Sequence, residues 1–284
     1  MIHERISIIA HSIKGNWAPE GDDRWFVDRA LGFLYVANGS GPAYGGYHAP
    51  FGLDPGLDAL RQAFSHPSVT DGPALEDRLR GAVGAAHVVM RRLETAYQEV
   101  LATELARSPG DPLGAAGRAA DLVRPPRFRG VDSFCHFAGS VTACSLEDGV
   151  HGKDGVLAVA QVGDGRAYLL HEGSLQVLVA DHTLRTRLAR DAGASLDDLS
   201  FPDQHRHVVT RLLGLSDALE PDLVQASLVP GDKLLLCSAG VWNHAEGDGL
   251  VRRLLEASTG AFGRLLEKCP PPGGRDATAV RVSV

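Results

Sequence analysis

Ala158-Val159-Ala160-Gln161-Val162-Gly163-Asp164-Gly165-Arg166-Ala167-Tyr168 decides how this chain is read. Val156 to Val162 is a near-continuous apolar run that reads as a strand. Gly163-Asp164-Gly165 breaks it as a turn. Ala167 to Leu170 starts a second strand, and His171-Glu172-Gly173-Ser174 reads as a hairpin turn into a third, Leu175 to Val179. Strands joined by such tight turns build antiparallel sheets.

Toward the C-terminus the same style continues. Thr183 to Ala192 reads as a helix closed by Gly193. Val224 to Leu228 and Lys233 to Cys237 are strands around the turn Pro230-Gly231-Asp232. Leu250 to Ala257 and Ala261 to Lys268 are short helices, and Ala277 to Val284 is a closing strand. Toward the N-terminus, Phe134 to Leu146 is a long strand. Residues 107–131, rich in Pro, Gly and Arg, read as a loop insertion. Before it lies the strongest helix, Pro73 to Ala106, where Leu75, Leu79, Val83, Ala86, Met90, Leu93, Tyr97 and Leu101 recur every three or four residues. In the Gly/Pro-rich residues 40–73 only Leu57 to Phe64 looks helical. Arg5 to His11, Trp25 to Val27 and Phe33 to Ala37 are strands. Helices come in pairs between strand runs, which predicts an α+β fold: a central antiparallel β-sandwich flanked by helices on both sides. No linker divides the chain, so 1–284 reads as a single domain.

The bulk properties exclude several partners. Lys and Arg total 28 against 35 Asp and Glu, a net charge of −7. Nucleic acid and anionic membranes call for a basic footprint. The densest basic stretch, Arg118 to Arg129, is interrupted by Pro125-Pro126 and reads as loop. No apolar run approaches the roughly 18 residues of a membrane span, and Met1 to Arg5 lacks the pattern of a signal peptide. Cys135, Cys144, Cys237 and Cys269 fit neither a zinc site nor a disulfide framework. The expectation is a cytoplasmic protein with reduced thiols. His205 and His207 are placed in a solvated loop.

Several segments, in order, resemble the metal-dependent type 2C (PPM) protein phosphatases. Asp22 to Asp28 resembles the family's early Glu-Asp motif. Leu34-Tyr35-Val36-Ala37-Asn38-Gly39 resembles the strand ending in a metal-binding Asp-Gly. Gly139-Ser140-Val141-Thr142-Ala143 resembles a Gly-Ser-Thr strand, and the opening stretch closely resembles the Gly-Asp-Ser-Arg segment. Asp181-His182-Thr183, Thr210 to Gly214, Pro230 to Ser238 and Asp276 to Val280 continue the series. The resemblance implies a four-layer α-β-β-α sandwich with a dinuclear Mg²⁺ or Mn²⁺ site at one end. Two hard cations about 3.5–4 Å apart share a water, lower its pKa and aim it at phosphorus, and such cations take carboxylate ligands.

This chain departs from that pattern. The bridging carboxylate is replaced by Asn38, whose amide carries no charge and presents an NH₂ donor. The Ser-Asp-Gly motif reads Ser238-Ala239-Gly240, and Ala239 has no ligating atom. The last motif has two alignments: on Asp276 the ligand is kept and Ala277 replaces an Asn; on Thr278 the ligand position falls on Arg275. Counting back from Asp22, the family's phosphate-binding arginine falls on Ala18. The remnant site is therefore Asp22, Asp23, Asn38, Gly39, Asp164, Ala239, Arg275 and Asp276. Asp23, Gly39 and Asp276 are the positions left to hold Mg²⁺ or Mn²⁺ if any binds, and Asp164 resembles a carboxylate for an additional, weaker ion. Arg211 and Asp181 are read as structural. The expectation is a pseudophosphatase in Ser/Thr phosphosignalling whose partner is a phosphoprotein, a kinase or a working phosphatase. The alternatives are a divergent active phosphatase and an interaction module.

Overall fold

The computed structural model describes residues 6–14, 23–39, 53–66, 74–123, 137–147, 155–194, 208–243, 248–267 and 276–284. Asp22, Arg275, Ala18, Cys135, Cys269, His205 and His207 lie outside the described residues. In chain order the elements are β1 (Ser7–Ile13), β2 (Asp23–Asp28), β3 (Phe33–Gly39), α1 (Asp54–Ser65), α2 (Leu75–Arg107), α3 (Pro112–Val123), β4 (Gly139–Glu147), β5 (Gly155–Val162), β6 (Arg166–His171) and β7 (Ser174–Val177). They continue with α4 (Leu184–Ala192), β8 (Asp222–Leu228), β9 (Lys233–Cys237), α5 (Ala239–Trp242), α6 (Asp248–Glu256), α7 (Thr259–Glu267) and β10 (Ala277–Ser283).

Two five-stranded sheets form, in the orders β1-β10-β9-β6-β7 and β2-β3-β4-β5-β8. Every strand pairing is antiparallel. Alternation explains the layering, since successive side chains on a strand face opposite ways. On β3, Leu34 and Val36 point between the sheets, where they meet Cys144, Val159, Leu234, Leu236 and Val280. Phe33, Tyr35 and Ala37 face outward onto Leu57, Phe64, Leu79, Val83 and Met90 of α1 and α2. Leu235 and Cys237 of the other sheet pack on Val251, Leu254, Phe262 and Leu266 of α6 and α7. The result is a four-layer α-β-β-α sandwich, as expected from the sequence.

The stripe read on the long helix is its buried face: Leu75, Leu79, Val83, Ala86, Met90 and Tyr97 are all buried. Gly193 ends α4 in the left-handed conformation at φ 61°, its N–H bonded to Ala189 and Arg190 carbonyls.

The insertion is not a loop throughout, because α3 occupies its centre. Asp111 Oδ1 accepts the Gly114 N–H at 2.9 Å, an N-terminal cap with Pro112 in the first turn. Ala115, Ala116 and Ala119 are buried. Arg118, read as part of a basic loop, instead donates to Glu104 Oε2 of α2 at 2.9 Å.

Candidate functional site

Strand register brings the candidate residues to one end of the sandwich. Asp23 of β2 lies opposite Asn38 of β3, and Asn38 lies opposite Ser140 of β4, so the three form one row across the second sheet. In the first sheet, Thr278 of β10 lies opposite Ser12 of β1. Ser238, just past β9, exchanges bonds with Thr278: its N–H reaches the Thr278 carbonyl at 2.9 Å, and its Oγ accepts from the Thr278 N–H at 3.0 Å.

The two rows are joined through Asp23. Its backbone N–H donates to Asp276 Oδ2 at 3.2 Å. Its carboxyl is buried and faces the hydroxyls of Ser238 and Thr278. Burial pushes its pKa up to about 7; the two hydroxyls oppose that shift, while the negative charges of Asp276 and Asp164 add to it. One oxygen, Oδ2, is buried with no hydrogen-bond partner among the described residues.

Asp164 is positioned by its turn. Gly163 has φ 99°, and a Cβ there would stand 2.0 Å from Ser140 Oγ, so only glycine fits. That close approach lets Ser140 Oγ donate to Asp164 Oδ1 at 2.8 Å and accept from the Asp164 N–H at 3.3 Å. The Asn38 amide nitrogen stands 3.5 Å from the same Oδ1. The Asp164 carbonyl accepts from the Trp242 indole at 2.7 Å. Trp242 in turn carries the Arg166 guanidinium 3.6 Å above its ring.

The neighbouring pairs fit a supporting role. Arg166 binds Asp181 Oδ1 through two nitrogens, at 2.6 and 3.0 Å. Burial alone would raise the pKa of Asp181, but Arg166 and the Thr183 hydroxyl hold it below the ordinary carboxylate value. Arg211 pairs with Asp222. His182 stands between that pair and the turn, its Nδ1 accepting the Gly163 N–H at 3.0 Å.

The structure thus brings together Asp23, Asn38, Asp164 and Asp276, with Gly39 next along β3. Ala239, expected at a strand end, is instead the first residue of α5, buried beside Ser238. Of the two alignments of the last motif, the one that retains Asp276 has its carboxylate against Asp23. The sequence reading missed the hydroxyls of Ser12, Ser238 and Thr278 as partners, although Ser238 stood inside a quoted motif. Trp242 carried no signal.

Among the described residues three carboxylates, of Asp23, Asp164 and Asp276, stand at this end. Hard cations need several carboxylates in reach. Here Asn38 turns an N–H toward Asp164, and Ala239 offers a methyl group. Among the described residues no three His, Cys, Asp or Glu side chains are placed to hold one ion.

A four-layer sandwich with carboxylates gathered at one end is the architecture of the metal-dependent phosphatases. A serine/threonine phosphatase of Listeria innocua is 30% identical over 125 residues, covering 42% of this chain and 48% of that protein. The PPM Ser-Thr phosphatase MsPP of Mycobacterium smegmatis, solved with cacodylate, superposes with a TM-score of 0.65 at 22% identity, over 98% of each chain. The catalytic domain of PstP, solved with two manganese ions, gives a TM-score of 0.61 at 20% identity over 98% and 97% of the two chains. No protein-family model matches the chain. The chain spans about a third to a half of the length of the curated relatives it matches. The curated relatives and solved structures that it is similar to are Ser/Thr phosphatases, of the 2C or PPM type where their names give one.

Proposed function

We propose that the chain is a binding or regulatory member of the type 2C phosphatases, acting in Ser/Thr phosphosignalling with little or no hydrolysis. The observation that carries this reading is the donor set. The Asn38 amide nitrogen lies 3.5 Å from Asp164 Oδ1, and Ala239 stands where a ligand is expected. Two-metal hydrolysis depends on charge stabilisation at the reacting oxygens, and losing one such donor typically costs about 10²–10³ in rate. Without cations, Asp164 and Asp276 leave the end of the sandwich negative, an environment that disfavours a phosphate group. The reading therefore places recognition of the partner protein, a kinase, phosphatase or phosphoprotein, on surfaces around that end rather than on the phosphate itself.

The names of the relatives support a second reading, an active Mg²⁺- or Mn²⁺-dependent Ser/Thr phosphatase, and nothing in those comparisons speaks for inactivity. Its structural support is the convergence of three carboxylates at one end of the fold. One assay separates the two. The purified chain is given Mn²⁺ with a small phosphate ester and with a phosphopeptide, beside an active family member. The binding reading expects turnover at least about 10²-fold below that enzyme. Metal-dependent turnover within tenfold of it establishes the second reading.

A further inference from the structure

At the end of the sandwich that holds Asp23, hydrogen bonds among the described residues tie the two sheets together. The Asp23 N–H of the second sheet donates to Asp276 Oδ2 of the first at 3.2 Å. The Asp23 carboxyl faces the Ser238 and Thr278 hydroxyls. Ser238 Oγ accepts from the Thr278 N–H, so its own hydrogen is available to the carboxyl. Thr278 Oγ1 is bonded to Ser12 Oγ at 2.6 Å, extending the chain of hydroxyls to β1. At Gly240 a Cβ would stand 2.0 Å from the Asp276 carbonyl, so α5 is clamped directly on the mouth of β10. On the opposite side, Ser140 and Asn38 both turn donors toward Asp164.

We infer that this hydrogen-bonded network, centred on Asp23, closes the sandwich in place of a metal pair, so that the fold of this chain is complete without a divalent cation. The inference rests on the reading that this end lacks a dinuclear centre, and adds what replaces it. A consequence follows for the lost ligands. Asn38→Asp would aim a carboxylate at Asp164 where an N–H now points. Ala239→Asp would bring another next to Ser238 and Asp23. Like charges gathered in a nearly dry site repel unless a cation lies between them. Restoring both ligands should therefore make stability depend on metal.

The test is thermal unfolding of the full chain in EDTA and in about 1 mM Mn²⁺, for the natural sequence and for Asn38→Asp/Ala239→Asp. The natural chain is expected to shift by less than about 1 °C between the two conditions. The double variant is expected to melt several degrees lower in EDTA and to gain about 4–5 °C with Mn²⁺, the size of shift that binding at about a hundredfold above Kd gives in a chain of this length. An Mn²⁺-dependent rise of several degrees in the natural chain overturns the inference, as does a double variant equally stable in EDTA. Should the double variant not fold, Asp23→Asn serves instead. Its amide keeps a bond to the hydroxyls, so it should melt within about 2–3 °C of the natural chain in EDTA and Asp23→Ala well below it. Equal losses from Asn and Ala would contradict a hydrogen-bonded closure. Turnover measured on the same samples keeps the readings apart. Stabilisation by Mn²⁺ without turnover removes the closure and leaves the binding role standing, whereas Mn²⁺-dependent turnover removes the binding role.

Discussion

The backbone N–H of Asp23 donates to the carboxylate of Asp276 at 3.2 Å, joining a strand of one sheet to the residue just before a strand of the other. Asp276 is buried, so removing its oxygens strands a buried donor. Asp276→Ala should cost about 1–3 kcal/mol in urea unfolding. Asp276→Asn keeps an acceptor and should cost less than half as much. Equal costs would mean that charge, not the bond, matters at this position.

Trp242 holds the Asp164 turn from the side of α5, its indole 2.7 Å from the Asp164 carbonyl and its ring under Arg166. Trp242→Phe keeps an aromatic face for the guanidinium but loses the N–H. The expected loss is about 1–2 kcal/mol, read by denaturant unfolding. A neutral result would show that solvent replaces the bond.

His87 of α2 is buried, and its Nδ1 accepts the Gly214 N–H at 3.1 Å. Burial holds its pKa below 6.5, with Arg91 adding to the shift and a backbone bond at Ser216 opposing it. His182 is shifted the same way by burial and Arg211. A histidine kept neutral by folding takes up protons more readily once unfolded, so its contribution is fully present above about pH 6.5 and is lost as pH falls toward the depressed folded value. Unfolding midpoints should therefore drop below about pH 6.5. His87→Asn, whose carbonyl can still accept from Gly214, should flatten that fall. An unchanged slope would assign it elsewhere.

The third helix is held to the second by Arg118, which reaches Glu104 Oε2 and Asp111 Oδ2 at 2.9 and 3.3 Å. Arg118→Ala should speed amide exchange across 112–123 while leaving the buried half of α2, around Leu79 to Met90, unchanged. Uniform acceleration of both helices would show that the pair acts on the whole domain.

That helix also marks where sequence reading stopped short. Two-residue alternation on β3 and the three-to-four spacing from Leu75 to Tyr97 report burial directly, so the sheets and the long helix were legible. Pro125-Pro126 and the glycines of 107–131 hid Pro112–Val123, although Asp111-Pro112 followed by Gly114-Ala115-Ala116 is a capped start. Likewise, of the strand read from Phe134, the described part begins at Gly139; Phe137 packs with Tyr97 and Ala119, and Phe134 lies outside the described residues. At the candidate site the acidic residues could be read because their type is distinctive. The hydroxyls that answer them could not, since serine and threonine at strand ends look alike whether they face water or a carboxyl. Strand spacing alone permits both alignments at Arg275 and Asp276, and Arg275 lies outside the described residues.

The central claim, that this end of the fold holds no metal pair, is tested most directly by counting bound Mn²⁺ on the natural chain, by calorimetry with electron paramagnetic resonance of the free ion. With the ion at about 1 mM and Asn38→Asp/Ala239→Asp beside it, the natural chain should bind less than one ion per chain and the double variant more. Two ions held by the natural chain would contradict the account.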